Sequence, residues 1–238
     1  MKLQPSTVLL IAGMLIAGMQ SCVKKDNYGG PDASLEGNLV DAGSKNNIQT
    51  ATGNVTIRLE QLSWSATPTP QDIPVKMDGT YKNTELFKGH YRVSIKGGAF
   101  WAVPPVEMDI DNGTHYDFNL TPYLYITNFT HQLNGTTLTL HFNMQAPIAG
   151  IPSITEIQPY VNTTEMVGPG ASIRDFSDAY KVTVNKEWAD MSDTDKSPEF
   201  VITNLLPGRT FYVRVGVRFN NDDKSSNLSE IIKIDVPL

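Results

Sequence analysis

The sequence predicts an all-β protein built from two tandem β-sandwiches. Short runs of alternating apolar and polar residues recur from Ala33 onward, and turn dipeptides such as Asp78-Gly79, Asn112-Gly113 and Asn134-Gly135 separate them. No window of about 11 residues keeps a helical period. At 238 residues, 40% of them hydrophobic, the chain is long enough for one large or two small cores and too apolar for a disordered tail.

The first 22 residues read as an address. Lys2 is followed by an apolar run from Val8 to Met19, then Gln20, Ser21 and Cys22. That run is too short for a bilayer span of roughly 20 residues and fits the apolar region of a secretory signal. The single cysteine stands directly behind a small residue at its end. This layout resembles the bacterial lipoprotein signal, which implies cleavage after residue 21 and lipid attachment at Cys22. An ordinary signal peptide with a stray cysteine is the alternative. Residues 22–32 (CVKKDNYGGPD) are polar with two glycines and read as a tether. The Lys25-Asp26 step resembles the export tags of surface lipoproteins in Bacteroidetes-type bacteria. The expected location is therefore the outer membrane, at the cell surface or facing the periplasm.

The first sandwich is assigned to residues 33–121. Val55, Ile57 and Leu59 alternate with polar neighbours, as do Tyr91, Val93 and Ile95, then Val106, Met108 and Ile110, then Tyr116, Phe118 and Leu120. Each triplet places apolar side chains on one face of a strand. Leu35-Glu36-Gly37, Asp41, Asp78-Gly79-Thr80-Tyr81, Leu86, Gly89, Tyr91 and Asp117-Phe118-Asn119-Leu120 follow one another in an order that resembles the prealbumin-like (carboxypeptidase-regulatory-like) domains. The resemblance implies a seven-stranded sandwich used as a structural or binding module.

The second sandwich is assigned to residues 122–238, with no long linker before it. Leu138, Leu140 and Phe142 alternate after the Asn134-Gly135 turn. Phe211, Val213, Val215, Val217 and Phe219 form a five-position apolar face, from which Tyr212, Arg214 and Arg218 point away. Leu205-Leu206-Pro207-Gly208-Arg209-Thr210-Phe211 resembles the approach to the penultimate strand of fibronectin type III domains, with Phe211 at the tyrosine-corner position but lacking its hydroxyl. Ser225 to Ser229 read as a small polar turn before a last strand, Ile231 to Val236. Over the whole chain, SCVKKDNY, PDASLEG, MDGTYKN and LTPYL resemble an uncharacterised lipoprotein family of Bacteroidetes-type bacteria. That resemblance implies accessory partners of SusC/SusD-type glycan-uptake systems.

Reactive chemistry is hard to find. A net charge of −6 argues against sequence-independent nucleic-acid binding, which needs clustered cations. His90, His115, His131 and His141 share no helical metal spacing, and there is no H-E-x-x-H, nucleophile elbow or P-loop. Lipid on Cys22 would remove the one thiol. The expectation is a non-enzyme with no cofactor and no metal. The acidic stretches around Asp190, Asp193 and Asp195 and around Asn220, Asn221, Asp222 and Asp223 could offer oxygen ligands to Ca²⁺, but solvated turns explain them as well.

The aromatic residues carry the candidate binding site. Continuing the phase of Val55, Ile57 and Leu59 turns Leu62 and Trp64 outward, so either a bulge intervenes or Trp64 leaves the core. Trp64 precedes the proline-spaced loop Ser65-Ala66-Thr67-Pro68-Thr69-Pro70, and Trp101 lies in a Gly- and Pro-bounded segment. A flat indole beside polar groups suits a pyranose ring, whose C–H faces are apolar and whose edges are polar. Trp64 and Trp101 are therefore the candidate glycan-binding residues. The competing role is capping a sandwich end or filling the domain junction, and Trp188 stands on the same footing. A glycan-binding or complex-docking lipoprotein, a structural or adhesive spacer making protein contacts only, and, remotely, a hydrolase remain open.

Overall fold

The computed structural model describes residues 29–238. The signal segment, the lipidation position Cys22 and the tether as far as residue 28 lie outside the described residues. From Pro31 to Leu238 the chain is one compact unit containing two cores.

The first core lies between two sheets. β1 (Ala33–Asp41) is flanked by β4 (Thr80–Leu86) on one side and by the short β7 (Thr114–His115) and β8 (Phe118–Leu120) on the other. The facing sheet runs β3 (Gln71–Pro74), β2 (Val55–Gln61), β5 (Gly89–Gly97), β6 (Val106–Ile110). β1 alternates strictly between buried and half-buried positions, so Ala33, Leu35, Leu39 and Asp41 face inward. The apolar triplets of β2 and β5 meet them. Burying a Leu or Ile side chain contributes about 2 kcal/mol, and this alternation stacks many of them on one face.

β7 and β8 are one strand interrupted at Tyr116 and Asp117, and the interruption is built into the sequence. The Tyr116 carbonyl accepts a hydrogen bond from the Tyr81 hydroxyl and stands against Gly37. A Cβ at position 37 would lie 1.8 Å from that oxygen, so the glycine in Leu35-Glu36-Gly37 is there for close approach. Asp117 Oδ1 accepts from both the backbone N–H and the side-chain amide of Asn38, each at 2.8 Å. Just ahead of β4, Asp78 Oδ1 accepts from the Thr80 backbone at 3.0 Å and its hydroxyl at 2.8 Å, turning the chain into the strand.

The second core lies between a three-stranded sheet and a five-stranded one. The first is β13 (Glu199–Ile202), β10 (Thr137–Gln145), β9 (Tyr125–Asn134). The second is β12 (Val182–Lys186), β11 (Ile154–Asn162), β14 (Thr210–Phe219), with β15 (Ser226–Leu228) and β16 (Ile232–Asp235) both paired to β14. Phe211, Val213, Val215, Val217 and Phe219 are fully buried, as their alternation predicts, and Phe211 packs edge-on against Phe176. Among the described residues helix is confined to single turns, including α1 (Arg174–Ser177). No described helix is long and apolar enough to cross a membrane.

Two features depart from the alternation argument. The stretch from Ser225 to Ser229 contains a strand, β15, and is not only a turn. More importantly, the far face of β14 is not solvent-facing at Arg214, whose exposure is 0%. That face abuts the first sandwich. Tyr160, Val167 and Leu228 pack there with Ala51 of the first sandwich into a small third cluster. Arg214 donates to the Ser229 carbonyl from Nε at 3.1 Å and from Nη2 at 2.7 Å, and to the Thr50 carbonyl from Nη1 at 2.9 Å. Asn227 Oδ1 accepts from the Leu124 N–H at 2.9 Å, while its Nδ2 donates to the Ala99 carbonyl at 2.9 Å. Ser225 Oγ donates to the Gly98 carbonyl at 2.7 Å. Tyr125 donates to Asp41 Oδ1 at 2.9 Å. The junction is a buried, directional polar seam.

Candidate functional site

Trp64 leaves the core, for reasons visible in the backbone. β2 stays in register with β5 as far as Gln61 opposite Tyr91. The next two N–H groups, of Leu62 and Ser63, both turn to the His90 carbonyl at 2.8 and 3.2 Å, and the Trp64 N–H closes a turn on the Gln61 carbonyl at 3.2 Å. Pro68 and Pro70 follow. Each lacks a backbone donor, so the ladder cannot resume before β3. The Thr67 N–H is satisfied locally by Ser65 Oγ at 3.1 Å. The indole ends 70% exposed.

Phe87 joins it from the opposite sheet. Leu86 is the last inward residue of β4, so the next residue must face out, and Phe87 is 43% exposed. Its carbonyl is pinned by the Tyr91 hydroxyl at 2.7 Å. The loop carrying it meets the Trp64 turn at Gly89. A Cβ on Gly89 would stand 2.3 Å from Ser63 Oγ, so a side chain at position 89 would force the Ser63 hydroxyl to move. Ser63 Oγ also accepts from the His90 N–H at 3.2 Å, and Gln61 Nε2 reaches the Lys88 carbonyl at 3.5 Å.

Together Gln61, Trp64, Ser65, Thr67, Thr69 and Phe87, with Pro68, line a surface cleft of about 410 Å³. Two aromatic side chains are ringed by hydroxyls and one amide, all uncharged. Sequence reasoning finds Trp64 but not Phe87. The signal for Phe87 is the pair Leu86-Phe87: two consecutive large apolar residues cannot both face inward from one strand.

Trp101 is placed elsewhere and does not line this cleft. It is half-buried against the second core, with its ring edge-on to Tyr123 at 5.6 Å, and Tyr123 is edge-on to Phe219 at 5.3 Å. The Trp101 Nε1 is buried with no hydrogen-bond acceptor among the described residues. Trp188 is also half-buried on the second core, in a single 3₁₀ turn, with Lys196 Nζ 4.7 Å from its ring centre.

A second concave surface is charged and internally paired. A cleft of about 430 Å³ at the edge of the junction contains Glu156, Lys181 and Arg218. Glu156 there accepts from Arg218 at 3.2 Å and faces Lys181 at 3.6 Å, while Asp178 takes the Gln158 amide at 2.8 Å. Among the described residues no three His, Cys, Asp or Glu side chains converge as a metal site would require. In the acidic stretch near Asp190, Asp195 is committed to Lys186 Nζ at 2.8 Å and to the Ser192 N–H at 3.0 Å. The Lys186 hydrogen bond, then those from Ser192, hold its pKa down to about 2. His90 Nδ1 lies 2.9 Å from Asp109, and that hydrogen bond, with Glu107 beyond, raises its pKa despite some desolvation.

Comparison with known proteins places this architecture. A DUF3823 family protein from Bacteroides uniformis ATCC 8492 superposes with a TM-score of 0.74 at 22% identity, covering 87% of this chain and 100% of its own. A DUF3823 family protein from Parabacteroides merdae ATCC 43184 gives 0.71 at 18% identity, with the same coverages. A candidate carbohydrate-binding protein from Bacteroides uniformis ATCC 8492 gives 0.69 at 19% identity, again over 87% and 100%. These likenesses establish the shared fold. No curated protein matches the chain. The protein-of-unknown-function (DUF3823) N-terminal domain matches residues 33–121, and the domain of unknown function DUF3823_C matches residues 124–233. With both of its domains present in order and together spanning most of the length, the chain belongs to the DUF3823 family.

Proposed function

We propose that this protein is a non-catalytic glycan-binding lipoprotein, anchored to the outer membrane through a lipid on Cys22, and that it serves as an accessory component of a SusC/SusD-type uptake system. The observation that carries the binding role is the 70% exposed indole of Trp64 at a cleft shared with Phe87 and four polar side chains. An exposed tryptophan in water leaves a large apolar area unburied; a pyranose face covers it while the ring hydroxyls meet Gln61, Ser65, Thr67 and Thr69. The carbohydrate-binding role ascribed to one structural neighbour supports the same reading. Affinity at one such site need not be high. A Kd of about 1 mM corresponds to about −4.1 kcal/mol, and an array on a membrane adds avidity.

The test is a calorimetric and gel-shift screen of the compact unit, residues 31–238, against polysaccharides. At least one should bind, and Trp64→Ala should abolish that binding with the fold intact. Binding left unchanged by Trp64→Ala would refute the platform. Mass spectrometry of the mature N-terminus should find lipid on Cys22; a free thiol there would refute the anchor. The complex-docking reading draws on a different observation, the exposed Val182, Val201 and Leu206 of the second sandwich. Co-purification with outer-membrane transport proteins that survives Trp64→Ala and is lost on polar substitution of those three residues would favour it.

A further inference from the structure

The chemistry of the cleft limits which glycan it takes. Every described residue lining it is uncharged. The nearest charges in sequence are directed elsewhere. Lys88, beside Phe87, pairs with Asp111 at 2.9 Å and lies 3.9 Å from Asp32. Glu60, before Gln61, sits across the ladder from Arg92. A carboxylated or sulfated sugar would therefore meet no cation among these residues, and on a chain of net charge −6 its own charge would be repelled.

The lining is also open. Trp64, Thr67, Thr69 and Phe87 are exposed, and Gln61, Ser65 and Pro68 are half-buried, so among the described residues no wall closes either end and no fully buried polar group reads a terminal hydroxyl. Sites that recognise a chain end enclose it. This one can only be lain across. Resting on the glycan-binding reading above, we infer that the Trp64–Phe87 cleft takes an internal stretch of an uncharged pyranose polymer, and selects against anionic glycans and against chain ends.

The experiment compares the full chain in detergent with its Trp64→Ala and Trp64→Phe variants. The probes are a linear neutral β-glucan, a neutral mannan and polygalacturonic acid, each titrated at low and high salt. The neutral polymers are used native and with borohydride-reduced ends. The expected result is binding of a neutral polymer, changed less than twofold by salt or by end reduction. It should be at least tenfold weaker in Trp64→Ala and partly restored in Trp64→Phe, which keeps a ring. Trp64-dependent binding of polygalacturonic acid that weakens steeply with salt would overturn the neutral assignment and leave the sugar platform standing. Loss of affinity on reducing the ends would overturn the internal-chain assignment alone. Failure of all three polymers to bind would overturn this inference and count against the glycan-binding reading with it.

Discussion

Arg214 Nη1 donates to the carbonyl oxygen of Thr50 at 2.9 Å, joining residues 164 positions apart in the chain and on opposite sides of the junction between the sandwiches. The guanidinium is fully buried, and the hydrogen bonds it makes among the described residues run to carbonyl oxygens rather than to carboxylates. Burial pulls its pKa down to about 10, partly offset by Tyr160, which still leaves it charged at neutral pH. A buried cation held by peptide dipoles is stable only while the geometry is complete, because each carbonyl left behind keeps its desolvation cost.

Replacing Arg214 by Met fills much of the volume but strands the carbonyls of Thr50 and Ser229. A loss of roughly 3 kcal/mol in unfolding free energy is expected. Arg214→Lys should recover only part of it, since one ammonium cannot span the fork. Urea unfolding of residues 31–238 measures both, and a loss under about 0.5 kcal/mol for Met would show the seam to be incidental.

Asn227 tests the seam by a different logic. Its amide gives and receives at once, taking the Leu124 N–H and serving the Ala99 carbonyl. Asn227→Ala should cost about 2 kcal/mol. Asn227→Asp retains the acceptor but sets a second oxygen against the Ala99 carbonyl in a buried site, so it should be worse than alanine at pH 7 and recover towards it as the carboxyl is protonated. Parallel denaturation curves at two pH values decide this ordering.

Trp101 carries a buried N–H that nothing among the described residues accepts. Trp101→Phe removes that orphan while keeping a ring against Tyr123, so it should change stability by less than about 1 kcal/mol. Trp101→Ala breaks the edge-on chain from Trp101 through Tyr123 to Phe219 and should cost about 3 kcal/mol. Thermal melts of the two variants give the comparison.

The Asp41–Tyr125 contact gives the junction an acid limit. Burial alone would raise the Asp41 carboxyl, but hydrogen bonds from Ser44, Gly43 and Tyr125 outweigh it and hold the pKa below the ordinary 3.8. With the folded value depressed, the unfolded chain takes up the proton first as pH falls. The contribution is therefore complete above about pH 5, declines through the ordinary carboxylate range, and is gone once the folded carboxyl is itself protonated. Melting temperature should fall more steeply between pH 5 and 3 in the natural protein than in Asp41→Asn; equal slopes would remove Asp41 from the acid response.

The inward faces are legible in the sequence because a period of two is local. Val55, Ile57 and Leu59 in one sandwich, and Phe211 to Phe219 in the other, need nothing beyond their own neighbours to declare which way they point. The exit of Trp64 is only half legible: the phase of β2 turns it away from Leu59 unless a bulge intervenes, and alternation alone does not choose between the two. Phe87 escapes that reading, although its adjacency to Leu86 carries the signal. Arg214, Ser225 and Asn227 cannot be read at all. Alternation assigns a residue to the other face but does not say what covers that face. A polar side chain serving another domain's backbone looks in sequence like one serving water.

The seam is also lopsided in a way that shapes how the protein can diverge. In the bonds from Arg214, Ser225 and Asn227 to the first sandwich, side chains of the second do the donating, and what they grip at positions 50, 98 and 99 is peptide oxygen. Every amino acid carries that oxygen. Side-chain drift at those three positions is thus invisible to the grip so long as the chain path holds, while the gripping side has almost no freedom to vary. Asp41, with its carboxylate on Tyr125, is the exception. Side-chain changes at Thr50 that keep the chain path should therefore loosen the docking less than changes at Arg214.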